Sequence, residues 1–440
     1  LLSLLNYLIL LTIFDKLLIK YNNQGKFGKI PGLPFLLLIT GEPTMKIQEP
    51  MKYPLEAVKK TVNKWLYLEN DEIVDVILGA YLANQLKTDP LWLVIIAPPS
   101  SAKTELLRAF DGNKGTCFLS SLTPSTLVSG FRNPEGNNDP SLLLKLHSKV
   151  LILKDFTSVL SMRSESQKEI LSQLREIYDG KYNKAFGTGT EFNWQGHVGL
   201  IAACTPVYDK HYGVINALGD RFILYRSTNE NPQMMGARAQ QIVGQEEKMR
   251  IEIQTAFHDF VSQFQNIENI QFEQDETIND KIVALACFCA SARCAVERNY
   301  SNQTIQYMPA PEGTPRLVKQ FTQVGMGIAL AQGKNILDEA VYNIIKKIGQ
   351  DIMTAQRKLV LEHLWQEEVF EENNQWRTTA EIAHTTKLPK STVKIILEDL
   401  NIVGLLNQDF IDDIDKATPY KWQFSGTAYG YALDSAIFAI

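Results

Sequence analysis

Little in this chain invites a metal ion or a disulfide. Its 440 residues include only five cysteines, Cys117, Cys204, Cys287, Cys289 and Cys294. None forms a C-x-x-C pair, since a single residue separates Cys287 from Cys289, and no histidine stands close by, so zinc has no ligand set at its usual spacing. A sparse and odd-numbered set excludes a disulfide framework and reads as reduced thiols of a cytosolic protein. The six histidines are scattered, with no partner at ligand or triad spacing. Positive charge is also short: 44 basic against 49 acidic side chains leave a net charge of -5. A basic field over the whole molecule is excluded, and any grip on nucleic acid must come from a local patch. The apolar run LLSLLNYLILLTIF at 1–14 ends at Asp15 and Lys16, short of the roughly 20 residues of a membrane span. It has neither the basic start nor the small-residue cleavage site of a signal peptide. We expect residues 1–44 to be an upstream extension, with Met45 or Met51 as the start, and a cytoplasmic chain with no membrane association.

What the chain does have is order. PLEAVKKTVNKWLYL and DEIVDVILGAYLANQL carry apolar residues at helical spacing, with Asn70 and Asp71 available to cap the second. LWLVIIA, KVLILKDF and VGLIAACT are continuous apolar runs, the mark of strands buried on both faces, and RFILYR reads as a fourth. SESQKEILSQLREIYDG predicts an amphipathic helix. KYNKAFGTGTEFNWQG, with alternating aromatics about a Gly-Thr-Gly centre, predicts a β-hairpin. Strands alternating with helices predict a mainly parallel sheet between helical layers. From Asn231 to about Trp365 the pattern is helical. TAEIAHTTKLPKSTVKIILEDLNIVGLL then reads as two helices about a tight turn, and PYKWQFS as a closing strand. CFCASARCAVERNY, Phe192 and Trp194 read as packing.

The chemistry concentrates after the first buried strand, in Ala97-Pro98-Pro99-Ser100-Ser101-Ala102-Lys103-Thr104. A strand that turns into a helix offers main-chain N–H groups and the positive helix end to a polyphosphate. Lys103 would reach the β- and γ-phosphates, and the Thr104 hydroxyl would hold Mg²⁺. Ala97 and Ala102 stand where a phosphate loop ordinarily has glycine, and Ala102 is the position where a methyl group crowds or strains the turn. Asp155, after VLIL-Lys154, falls where a metal-organising carboxylate ends a neighbouring strand, with Phe156 where a water-polarising Glu often follows. Thr205 ends the third strand, and Arg221 follows Asp220 before the fourth.

The order APPSSAKT, VLILKDF, GLIAACTP, ALGDRF resembles the Walker A, Walker B, sensor 1 and arginine-finger stations of AAA+ ATPases. The hairpin KAFGTGTEFNW is similar to the pre-sensor-1 insertion of the branch that holds minichromosome-maintenance helicases and bacterial enhancer-binding activators. GTPRLVKQF resembles the sensor 2 station. The best overall resemblance, over about 55–425, is to helicase-like ATP-binding proteins of phages and integrative elements. It implies an AAA+ P-loop sheet with helices on both faces, a helical lid and a C-terminal winged helix. The corresponding boundaries are an extension at 1–44, N-terminal helices at 45–89, the nucleotide-binding core at 90–230, the lid at 231–364, the winged module at 365–425 and a tail at 426–440.

The resemblance also implies ATP and Mg²⁺ as cofactors, with Pro99, Ser100, Ser101, Ala102, Lys103 and Thr104 at the phosphates and Thr104 with Asp155 at the metal. Asp155, Thr205 and Arg316 would be catalytic, Arg316 closing from the lid, and Arg221 would complete the site of the next subunit in a homo-oligomeric ring. Lys181 and Lys184 on the hairpin would meet DNA. So would Lys390 and Lys394, at the start of a recognition helix capped by Ser391 or Thr392. Six basic and seven acidic residues over 376–424 give that module no overall electrostatic footprint. The implied function is an ATP-dependent, helicase-like DNA motor in replication of a mobile element. Two alternatives stay open: a nucleotide-gated DNA-binding scaffold with little hydrolysis, favoured by Ala102 and Phe156, and an activator using the hairpin for protein contacts.

Overall fold

The apolar runs form strands that lie side by side and all point the same way. The computed structural model describes residues 51–129, 141–187, 191–217, 221–228, 231–299, 301, 303–365, 376–410 and 420–438. The chain divides into units 1–45 and 46–440, and every described residue belongs to the second. The run at 1–14, the Met45 start, the centre of the hairpin turn at 188–190 and Asp220 lie outside the described residues.

β1 (Trp92–Ile96), β2 (Thr116–Leu119), β3 (Lys149–Leu153), β6 (Val198–Cys204) and β7 (Phe222–Arg226) make one parallel sheet in the order β2-β3-β6-β1-β7. β1 and β6 are buried along their whole length, as uninterrupted apolar runs require. This α/β architecture, a five-stranded parallel sheet flanked by helices, is compatible with a Rossmann-like or P-loop fold. β2 escaped the sequence reading because its four residues, Thr-Cys-Phe-Leu, carry no alternation and are too short to stand out. β4 (Lys181–Ala185) and β5 (Glu191–Gln195) form the expected antiparallel hairpin, with Lys181 opposite Gln195 and the aromatics Tyr182, Phe192 and Trp194 turned inward.

Two helices precede β1, as expected: α1 (Leu55–Trp65) and α2 (Glu72–Ala83). The Asn70 side chain accepts the Glu72 N–H at 2.8 Å at the start of α2, whereas Asp71 makes no such bond. Asn84, just past α2, clamps the start of β1: its amide donates to the Leu91 carbonyl and accepts from the Leu91 N–H, both at 2.9 Å. Helix α3 (Lys103–Arg108) follows β1, and α4 (Ser164–Tyr178) precedes the hairpin.

The helical part comprises α5 (Pro232–Gln241), α6 (Glu246–Ser262), α7 (Glu276–Ala292), α8 (Pro315–Ala331), α9 (Glu339–Asp351) and α10 (Ala355–Leu364). α8 runs antiparallel against α2: Gln332 reaches Asp75 at one end, and Lys319 pairs with Asp89 at the other. In the middle the two backbones touch. A Cβ on Gly327 would lie 2.0 Å from the Gly79 carbonyl oxygen, and one on Gly79 would lie 2.6 Å from the Ile328 side chain.

The C-terminal module contains a three-stranded antiparallel sheet, β8 (Arg377–Thr378), β10 (Tyr420–Phe424) and β9 (Leu406–Phe410), with α11 (Thr379–Thr386) and α12 (Lys390–Ile402). A capping box, Thr378 with Glu381, starts α11. α12 begins at Lys390 with Pro389 before it and no side-chain cap, so Ser391 and Thr392 lie within the first turn rather than capping it. The expected tail instead holds a helix, α13 (Gly426–Asp434), packed back on α7. Phe288, Trp365, Phe424 and Phe438 gather into one aromatic cluster that joins this module to the helical part. Among the described residues, no helix is long and apolar enough to cross a membrane.

The α2–α8 contact admits no side chain. Gly327→Ala should lower stability by about 3 kcal/mol or more, because backbone rather than a flexible side chain meets the new methyl. Gly430→Ala, in α13 with nothing within 4 Å, should instead gain up to about 1 kcal/mol from helix propensity. Denaturant unfolding of the two variants against the wild type checks both signs.

Candidate functional site

Parallel strands present all their carboxyl ends at one edge, and the residues that follow those ends are brought together there. From β1 comes the loop 97–102, anchored at its root by the Ala97 N–H to the Cys204 carbonyl at 3.2 Å. Two loop residues without the freedom of glycine, Ser100 (φ 62°) and Ala102 (φ 66°), adopt left-handed backbone. The strain anticipated at Ala102 is therefore present, and Leu106 and Leu107, buried in the core, hold the helix that imposes it. α3 has only six residues, so the positive helix end contributes little and the loop amides and Lys103 must carry any anion.

Lys103 is 7% exposed, and its ammonium lies in the hollow of the loop, donating to the carbonyls of Ala97 and Pro98 at 2.6 Å each and to Ser101 Oγ at 3.1 Å. Burial pushes its pKa down from the ordinary lysine value; Cys204 and the Asp155 carboxylate, within electrostatic reach, act the other way. An anion entering the loop exchanges carbonyl partners for a full negative charge and reverses that depression.

Asp155 and Thr205 stand at the same edge. The exposed Asp155 carboxylate accepts the Thr157 N–H at 2.9 Å, while the Phe156 N–H is tied to the Ala203 carbonyl at 2.7 Å. Here one expectation is corrected. β3 is not the neighbour of β1, because β6 runs between them and inserts Thr205 between Lys103 and Asp155. Thr157, which drew no notice in the sequence, joins the two ends: its hydroxyl accepts the Thr205 N–H at 3.1 Å and reaches Thr205 Oγ1 at 3.5 Å. Phe156 is fully buried and packs edge-on to Phe222, so the side chain at that position belongs to the core and polarises no water.

Arg226, also overlooked, ends β7 and grips Asp209 at 2.7 Å and the carbonyls of Asp351 and Met353 at 2.9 Å. It thereby fixes the turn that follows Thr205 to the end of α9.

Beside the loop opens a cleft of about 350 Å³. Ser100 to Glu105 form one wall, Trp65, Leu66 and Tyr67 from the α1–α2 connection another, and Met235, Arg238 and Ile242 a third. Nothing in the sequence pattern pointed to it, because its walls come from three distant segments.

The two arginines lie elsewhere. Arg221 precedes β7, at the amino edge of the sheet, where it pairs with Asp179 at 3.1 Å and lies over the Tyr178 ring at 5.8 Å. Arg316 is in the first turn of α8, paired with Glu312 at 3.4 Å and within electrostatic reach of Tyr178. The Gln320 amide, one turn on, bonds the Arg221 carbonyl at 2.7 Å. The far end of α8 is what approaches the carboxyl edge, roughly 20 Å away along the helix axis. Arg316 therefore does not close on Lys103 and Asp155 of its own chain, contrary to the expectation. On the hairpin Lys181 is exposed, while Lys184 is engaged with Glu169 at 3.2 Å and with the Phe186 ring. Lys390 and Lys394 are exposed on α12.

If left-handed backbone at Ala102 stores strain, glycine releases it. Ala102→Gly should raise the unfolding free energy by about 1 kcal/mol, the relief exceeding the added chain entropy, in a denaturant titration. No family model matches this chain, and no curated protein matches it.

Proposed function

We propose that this chain is an ATPase of the AAA+ type, of the pre-sensor-1 hairpin branch, that uses ATP turnover to move along or remodel DNA. One observation carries the reading: the Lys103 ammonium, Thr205 and the Asp155 carboxylate gather at the carboxyl edge of a parallel sheet.

The donor set fits a magnesium-bound triphosphate. Main-chain amides of Pro99 to Ala102, less the proline, offer neutral donors, and Lys103 offers a cation already held inside the loop. Thr104 and Asp155 would bind Mg²⁺, which when present supplies charge neutralisation at the β- and γ-phosphates. Thr205, fixed by Thr157 and by the turn that Arg226 ties down, would hold the γ-phosphate oxygen. The cleft walled by Trp65, Leu66 and Ile242 suits the nucleoside, since it continues from the loop and is largely apolar.

Arg221 and Arg316 share the amino edge, so their service to a nucleotide requires a second copy of the chain. A homo-oligomer, in the form of a ring, satisfies both at once. Their current partners, Asp179 and Glu312, would be exchanged for phosphate oxygens as subunits meet.

The C-terminal module reads as a winged helix, and its balance of charge is misleading. Asp399 faces inward to Arg298 at 2.7 Å and to Arg357 at 3.4 Å, while the half-buried Glu398 is shared between Arg298 at 3.3 Å and Lys394 at 3.8 Å. Lys387, Lys390 and Lys394 all lie on the exposed side of α11 and α12, Lys394 with Glu398 beside it. This geometry supports DNA contact there through the phosphate backbone, with Lys181 of the hairpin as a second point. A second reading, a nucleotide-gated DNA-binding scaffold, draws support from buried Phe156, which leaves no carboxylate beside Asp155 to activate water.

Turnover decides between them. The full chain should hydrolyse ATP faster with single-stranded DNA, and Lys103→Ala should lose about 10²-fold or more in rate. Arg221→Ala and Arg316→Ala should each bind nucleotide yet turn over about 10³-fold slower. Mixing Lys103→Ala with Arg221→Ala should restore part of the activity, because one intact site then forms at a shared interface. Tight ATP binding with no turnover by wild type would favour the scaffold, and no restoration on mixing would remove the interfacial role of Arg221.

A further inference from the structure

One wall of the cleft is a helix that buries none of its own residues, with only Ile242, the residue that ends it, packed against the edge of the core. None of the ten residues of α5 is buried. A helix of under three turns that buries no side chain gains little from apolar contact, and alone in water it is marginal. Its position has to come from specific anchors.

Among the described residues, one side chain supplies the long-range anchoring hydrogen bonds. Arg238 Nη1 donates to the carbonyl of Asn63 and to that of Lys64, the latter at 2.6 Å. Both belong to the last turn of α1, where carbonyls have no partner within their own helix and the helix dipole is negative. Asn231, at the start of α5, accepts the Met234 N–H with its side chain and the Met235 N–H with its carbonyl, both within the same helix.

α6, which follows, is held quite differently. Met249, Ile253 and Phe257 are buried, Glu252 binds Lys64 and the Trp65 indole, and Arg250 binds Glu105. Between the loosely held helix and the firmly held one stands Gly244, at φ +80° with open space around it. The cleft-facing residues Met235, Arg238, Ala239 and Ile242 recur at three- and four-residue spacing, so a swing of α5 about Gly244, with the half-buried Ile242 drawn from the edge of the core, would bare that whole wall.

We infer that α5 is a lid on the cleft and that Arg238 is its latch, a positioning residue acting through the carbonyl end of α1. The inference rests on the reading of the cleft as a nucleotide site. With the latch made, the wall opposite the loop is fixed and a bound nucleoside is enclosed. Without it, α5 turns away about Gly244 while the loop, Lys103 and Asp155 keep their places. The rate of entry is then little changed, and the rate of escape rises.

The test uses the full chain and N-methylanthraniloyl-ADP as the probe. Stopped-flow release from Arg238→Ala should be about tenfold faster than from wild type, the equivalent of losing a charged donor shared by two carbonyls. Association should stay within about twofold, and Arg238→Lys, which keeps a cation able to reach the same carbonyls, should recover most of the difference. Amide hydrogen exchange without nucleotide supplies an independent readout: residues 232–241 should exchange faster in Arg238→Ala, with α1 and β1 unchanged. Wild-type release together with wild-type exchange would overturn the latch. If wild type fails to bind the probe, the nucleotide reading falls, and exchange across 232–241 alone still decides whether Arg238 holds the helix down.

Discussion

The contact between the backbones of α2 and α8 is the constraint around which this molecule is arranged. Gly79 and Gly327 let two helices approach until carbonyl and Cα nearly touch, a separation that no other residue pair allows. α2 is consequently buried along almost all of its length, between the sheet and the helical part. Each of its ends then does something. At one end the connection from α1 forms a wall of the cleft; at the other Asn84 clamps the start of β1, made possible because Gly199 leaves room for its amide against β6. A buried acid, Asp75, accompanies this helix and is matched by Lys59 at 2.5 Å and by the Gln332 amide at 3.1 Å. Its charge is compensated rather than left bare, as burial demands.

The same crossing distributes the cationic groups. Because α8 lies antiparallel to α2, its first turn is carried to the amino edge of the sheet and its last turn to the carboxyl edge. Lys103 and Asp155 therefore occupy one edge and Arg221 with Arg316 the other. On the ring proposed above, stacking one copy on the next would bring these unlike edges together.

Strain and burial at the loop point the same way. Left-handed Ala102 and the depressed Lys103 pKa are both unfavourable to the fold, the first by backbone strain and the second by burial of the ammonium. The loop is strained and its ammonium buried, while the helix beside it, α5, buries no side chain and is tied to α1 by the Arg238 guanidinium. A firmly held loop and a lightly held helix are thus adjacent in space and separate in cause.

Four strands of the parallel sheet, the hairpin, the closing strand and paired helices of the C-terminal module, and the positions of Lys103, Asp155 and Thr205 at strand ends were legible in the amino-acid order, whereas β8 and β9 were not. Each depends on periodicity or on residues next to one another in the chain, and those are local properties. β2 was too short to register, and α13 hid in a stretch of small and aromatic residues with no clear apolar stripe. What only the tertiary structure decided was how distant segments meet: β6 between β1 and β3, Arg316 beside Arg221 instead of Lys103, and Asp399 turned inward to Arg298 and Arg357. Those arrangements follow from strand order and from one helix crossing, and a crossing made possible by two glycines 248 positions apart leaves no periodic trace in the chain.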